Sequence, residues 1–229
     1  MGSVLAMIAV VTVVAGVATV TTNKLHQAFS SATPKAKTLR ELLTQWRERL
    51  SEKRADLTKL KVAELDLLSY EVTRELKLLS GRNRDVGYFN TIYKEPVGYY
   101  VRQRYPKAKS PHALTLVQTQ RFEIVYRQVA GVVTVDIDGA ARFRLSDAGE
   151  LTDLTGAPRA ARTLQRDERT LHVDTAAGKT LGILHRAGGG NRTALRAFEF
   201  VDVDDDVELL LLTVLTYDYL LSQNLSADG

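Results

Sequence analysis

From Gly2 to Thr22 no side chain is charged, and Val4 to Val20 are almost wholly apolar. A helix rising 1.5 Å per residue crosses a bilayer core of about 30 Å with about 20 such residues. The pattern therefore predicts a transmembrane anchor over residues 1–23. A cleaved signal peptide is the alternative, with Gly16 and Ala18 as small residues at −3 and −1. No Lys or Arg precedes the run, and its apolar core exceeds the usual 7–15 residues, so a retained anchor is expected.

The pattern then changes twice. Residues 24–37 are small, polar and broken by Pro34, and read as a linker. Thr38-Leu39-Arg40-Glu41 has the form of a capping box. Leu39, Leu43, Trp46, Leu50, Leu57 and Leu60 follow at heptad-like spacing, with Lys53 in the missing seam position. A second apolar set, Leu65, Leu68, Val72, Leu76 and Leu79, continues after a phase shift to Ser80-Gly81, a helix stop. The spacing predicts a long helical stalk over 38–81, as one kinked helix or two. Its seam needs a partner, either a second copy in a short coiled coil or the C-terminal domain, and packing onto that domain is favoured.

Beyond Arg84 the period falls to two and turns become frequent. Strands are predicted over 87–93, 99–105, 114–118, 122–126, 132–137, 140–145, 171–174, 181–184 and 195–201. Asp138-Gly139 is the strongest hairpin signal, and 176–179 form a second turn. Asp202, Asp204, Asp205 and Asp206 precede the apolar run 207–221, where acidic residues favour a helix start. That helix is apolar on nearly all faces and must be buried. Glu208 and Asp218 interrupt it, so it does not read as a bilayer span. The expected fold class is α+β: an N-terminal transmembrane helix, a helical stalk, and over 85–229 an antiparallel β-barrel or sandwich with a buried hydrophobic C-terminal helix.

Charge sharpens this picture. Residues 24–84 hold 14 Lys/Arg against 8 Asp/Glu, a net +6, while the remainder nets −2. Lys24, Lys35, Lys37 and Arg40 follow the apolar run before the first acid, Glu41. The positive-inside rule then places the C-terminal domain in the cytoplasm of a single-pass membrane protein. The same four residues form a basic cluster for anionic headgroups. With no cysteine in the chain, neither disulfides nor thiolate metal sites arise.

Two segments resemble the tubby-like superfamily, which includes phospholipid scramblases and LURP-one-related proteins. Leu171-His172-Val173-Asp174, followed by Gly178-Lys179-Thr180-Leu181-Gly182-Ile183, is similar to their strand–turn–strand unit. The acid-led segment from Asp206 to Tyr219 is similar to their terminal helix. The resemblance implies a closed antiparallel barrel around a hydrophobic helix, no catalytic residues, and association with lipid or a membrane surface.

Catalytic motifs are missing from the sequence. Gly178-Lys179-Thr180 lacks the earlier glycine of a phosphate loop, where Val173 stands, and Gly188-Gly189-Gly190 lacks the context of a dinucleotide fingerprint. The aspartate run suits capping better than calcium binding. His172 and His185 could face each other across a hairpin, but two ligands make a weak metal site. Arg102 and Arg104 interleaved with Tyr99, Tyr100 and Tyr105 resemble a single-strand nucleic-acid surface, yet alternating strand faces explain the mixture. The expectation is a non-enzymatic protein without cofactor or metal, binding membrane lipids and a protein partner or second copy, and no nucleic acid. The alternative is an accessory subunit or oligomeric scaffold assembled through the stalk.

Overall fold

A computed structural model of the chain describes residues 36–75, 84–105, 112–129, 131–164, 170–186 and 196–225. The chain divides into two compact units, 1–44 and 45–229. The described part of the first is the start of helix α1 (Ala36–Arg54), where Leu39 is buried, Leu43 half-buried and Arg40 exposed.

The second unit is a twelve-stranded antiparallel sheet in which each strand pairs with the next in sequence. The strands are β1 (Leu68–Arg74), β2 (Arg84–Thr91), β3 (Pro96–Arg104), β4 (His112–Thr119), β5 (Glu123–Val129) and β6 (Val132–Ile137). They continue as β7 (Ala140–Leu145), β8 (Glu150–Asp153), β9 (Pro158–Leu164), β10 (Thr170–Thr175), β11 (Thr180–His185) and β12 (Phe198–Val201). The first strand meets the last segment through an antiparallel bridge between Ser69 and Arg196, and the Ala197 amide donates to the Leu68 carbonyl at 2.7 Å. The sheet is thereby a near-barrel, with few unpaired edges. Asp138 (φ 50°) and Gly139 (φ 83°) make the β6–β7 turn, which requires positive φ at both positions.

Helix α2 (Asp206–Leu225) runs inside this barrel. Leu211, Leu212, Val214, Leu215, Leu220 and Leu221 are buried with Phe89, Tyr100, Val117, Ile124, Val173 and Leu184 of the strands. Phe89 packs on Tyr217 with ring centroids 4.3 Å apart.

The outer face of β2–β5 is covered as well. From Gln45 on, α1 lies against it. Arg47 makes a two-pronged bond to Glu123 at 2.7 and 2.9 Å, and Arg54 Nη2 donates to the Gln120 carbonyl at 2.9 Å. The Arg84 guanidinium stacks over the Trp46 ring, which is 1% exposed. All eight residues of β4 are buried.

Three expectations are corrected here. First, there is no long helical stalk. The helix stops at Arg54, a 3-10 turn spans Val62–Leu67, and β1 occupies residues expected to be helical. Leu68, Tyr70 and Val72 also satisfy period two, and pairing with β2 while bridging toward β12 removes an open edge, which outweighs helix propensity. Leu57 is buried and Leu60 lines a cavity, both beyond the helix. Second, the seam residues Trp46 and Leu50 bury themselves within this chain, so the coiled coil and the stalk-built scaffold lose their structural basis. Lys53, at the odd seam position, lies 5.1 Å from the Tyr99 ring centroid and pairs with Glu75 at 3.5 Å. Third, no helix among the described residues is long and apolar enough to cross a membrane. The single-pass membrane assignment, with its cytoplasmic domain, is therefore withdrawn. The run 1–23 and Lys24 and Lys35 lie outside the described residues, and so does the Lys37 side chain.

Gly87 sits where β1, β2 and β3 converge: a Cβ there would meet the Thr73 carbonyl oxygen at 1.9 Å and the Tyr100 ring at 2.9 Å. The backbone neighbour cannot give way. Gly87→Ala is expected to destabilise the protein by at least about 2 kcal/mol, read as a lowered denaturation midpoint at unchanged m-value.

Candidate functional site

The N-terminus of α2 is held at the end of the barrel where the β10–β11 turn lies. Asp205 caps it, its Oδ1 accepting the Glu208 amide at 2.8 Å. Glu208 in turn accepts the Asp204 amide at 2.9 Å. Lys179 from the turn donates to Asp204 at 2.7 Å and to Glu208 at 2.6 Å. The hydrogen bonds to Asp204 and then Glu208 hold its ammonium above the ordinary lysine range. The Gly178-Lys179-Thr180 sequence thus serves the helix start, and the aspartate run does the same.

Further along, Tyr126 of β5 and Arg162 of β9 reach the helix backbone, and Tyr219 of the helix reaches back to β11. The Tyr126 hydroxyl donates to the Val214 carbonyl at 2.8 Å. Burial pushes that phenol well above its usual pKa, which keeps it a donor. Arg162 Nη1 donates to the Leu215 carbonyl at 3.0 Å while Nη2 pairs with Asp218 at 2.9 Å. The Tyr219 hydroxyl donates to the His185 carbonyl at 3.2 Å.

Between these two sets of contacts the packing is incomplete. A cleft of about 420 Å³ opens between residues 58–65, the β4–β5 turn and the helix, with Leu60, Val97, Phe122, Leu209 and Tyr217 in its walls. A second cavity of about 270 Å³ adjoins it, sharing Leu60, Leu65, Thr213 and Tyr217 and continuing inward past Leu68, Phe198 and Leu212. The joined space is apolar along most of its length. Its mouth is cationic: Lys59 and Arg121 line the outer cleft. Arg121 pairs with Asp206 at 3.0 Å, whereas the exposed Lys59 has no ion pair among the described residues.

Two hydroxyls face this space from the helix. Thr213 Oγ1 donates to the Leu209 carbonyl at 2.6 Å, the usual resort of a helical threonine. Thr216, 1% exposed, has no partner for its Oγ1, so a buried hydroxyl remains available in the wall of the inner cavity. A cleft lined mainly by apolar atoms with a few polar ones has the composition of a ligand site.

Of the seam residues expected to mediate an interaction, only Leu60 reaches this site. Trp46, Leu50 and Leu57 are buried, and Leu39 and Leu43 belong to the first unit. Of the basic cluster, only the exposed Arg40 has a described side chain. The register places His172 opposite Ile183 and His185 opposite Thr170, so the two histidines do not face each other. Lys59, Thr213 and Thr216 were not singled out from sequence. The available signal was two threonines three residues apart in an otherwise apolar helix, too small to fill the space a leucine would.

No protein-family model matches this chain, no curated protein matches it in sequence, and no solved structure matches its fold.

Tyr126→Phe removes one buried bond to the helix without changing the ring. It is expected to cost about 1 kcal/mol of stability in equilibrium urea unfolding, with the near-ultraviolet dichroism otherwise native.

Proposed function

We propose that the barrel binds one anionic, single-chain lipid, such as a fatty acid or lysophospholipid, without catalysing a reaction on it. The observation that carries this reading is the pair of adjoining apolar cavities opening under a lysine that has no ion pair among the described residues. The acyl chain lies along Leu60, Leu65, Phe198 and Leu212, and the acidic head meets Lys59 at the mouth. Apolar cavities in well-packed interiors forfeit dispersion contacts, so an occupant that supplies them binds with favourable free energy. The tubby-like resemblance of the β10–β11 hairpin and the acid-led helix supports the same class of ligand, and a near-barrel around an apolar helix is the architecture that likeness implies.

The reading is tested with cis-parinaric acid, whose fluorescence rises in an apolar site. Saturable enhancement is expected, with displacement by laurate or lysophosphatidate; the better competitor identifies the head group as carboxylate or phosphate. Thr213→Phe fills the space shared by the two cavities and is expected to abolish the enhancement, while Lys59→Glu weakens binding several-fold through charge reversal at the mouth. Undiminished binding by a folded Thr213→Phe protein overturns the proposal.

A further inference from the structure

The other half of the barrel contains a different kind of space. A pocket of about 370 Å³ lies between strands β3–β6 and the C-terminal half of α2. Alongside apolar walls from Ala113, Val133 and Leu221 it carries polar groups: Arg102 from β3, Thr115 from β4, Tyr126 and Gln128 from β5, and Asp218 and Ser222 from the helix.

Arg102 is the anomaly. Its Nε is sealed from solvent and has no hydrogen-bond partner. Among the described residues its guanidinium forms neither a hydrogen bond nor an ion pair, although every neighbouring charge is matched. Asp218 pairs with Arg162 at 2.9 Å, and Asp85, opposite Arg102 in the β2–β3 register, pairs with Arg104 at 3.3 Å. Three arginines against two aspartates leave one positive charge, and it is Arg102. Burial, then the nearby Arg104, lower its proton affinity, and the attraction of Asp218 and Asp85 offsets this only in part. Two residues along the same face of β3, the Tyr100 hydroxyl is also buried without a partner.

A half-buried guanidinium whose sealed Nε lacks a partner is unfavourable, since its desolvation is only partly offset by Coulomb attraction and not by a hydrogen bond. A strand that needed only to pack would place an apolar residue there. The planar fork of arginine, by contrast, matches the two oxygens of a carboxylate or phosphate. Gln128, Thr115 and Ser222 add neutral polar groups around the same volume.

We infer that this pocket is a second binding site, separate from the apolar clefts, and that it takes a small oxyanion, a carboxylate or a phosphate group, on Arg102. The ligand supplies the countercharge the chain lacks. One excess positive charge suits a singly charged carboxylate or a phosphate monoanion, with Asp218 kept neutralised by Arg162. The site does not depend on the lipid reading, because it shares no lining residue with the other cavities.

The experiment is thermal unfolding of the full-length protein with inorganic phosphate or acetate, against chloride at matched ionic strength. Phosphate or acetate is expected to raise Tm saturably by about 3 °C when well above its Kd, and chloride is not. The anion that acts identifies the ligand class. Arg102→Met removes the uncompensated charge without stranding a carboxylate, so its Tm without anion is expected to equal or exceed that of the parent, and the anion-dependent rise is lost. Ala113→Leu, which narrows the pocket and leaves Arg102 in place, also loses the rise. Thr213→Phe, at the other cavity, retains it, so the two sites fail or succeed independently. The inference is overturned if neither anion acts on the parent protein, if Arg102→Met keeps the response, or if Arg102→Met lowers Tm as removal of a structural arginine would.

Discussion

Helix α2 has no polar stripe wide enough to face water, and the strands have an inward surface that no other element could fill. Each is unstable without the other. Enclosure of an apolar helix by a sheet is therefore the constraint from which the rest follows. The sheet must come close to meeting itself, so β1 bridges toward the end of β12. The helix must enter at one end, so its first turn carries Asp205, Asp206 and Glu208 where water and Lys179 can meet them. Its few interior polar groups must be matched, so Arg162 and Tyr126 reach to its backbone and to Asp218. The helix follows all twelve described strands in sequence, so the core is completed only after those strands have been made. Such non-local pairing slows folding relative to a helical protein of this size.

The interior that results is chemically divided along the helix axis. Toward the N-terminus of α2 the walls are leucine, valine and phenylalanine, with cationic residues only at the mouth. Toward the C-terminus they carry arginine, glutamine and serine. Both voids exist because the helix presents small or polar side chains, Thr213 and Thr216 at one and Asp218 and Ser222 at the other, where a larger apolar residue would have closed the gap. Binding capacity and loss of packing energy are here the same structural fact.

Local signals in the chain were clear where one physical cause acted alone. Asp138-Gly139 has few conformations open to it besides the tight turn it forms. The acid-led apolar segment had to be a buried helix. Residues 55–79 were obscure because Leu68, Val72 and Leu76 fit a helical stripe as well as an alternating strand. Only a long-range condition, the need for a strand at the seam, decides between them. The same holds for the sites. Arg102 sits in a run of arginines and tyrosines that reads as ordinary strand alternation. What sets it apart is that Asp85 and Asp218 are engaged with other partners, and the pairing of Asp218 with Arg162, 56 residues away in sequence, is not visible from spacing. The run 1–23 shows the limit from the other side. Its hydropathy points to a membrane, but the described structure contains no spanning helix, and the β-domain reads the same without one.

The meeting of β1 with the chain at Ser69–Arg196 differs from every other junction in the sheet. Neighbouring strands elsewhere share ladders, whereas among the described residues this join shows one bridge beside one amide-to-carbonyl bond, reinforced at the surface by the Arg196–Asp66 ion pair. Local opening begins where fewest bonds must break together. Leu68, which lies at this join, also lines the inner apolar cavity. Among the described residues the wall beside that cavity is thus held by the fewest bonds that must break together.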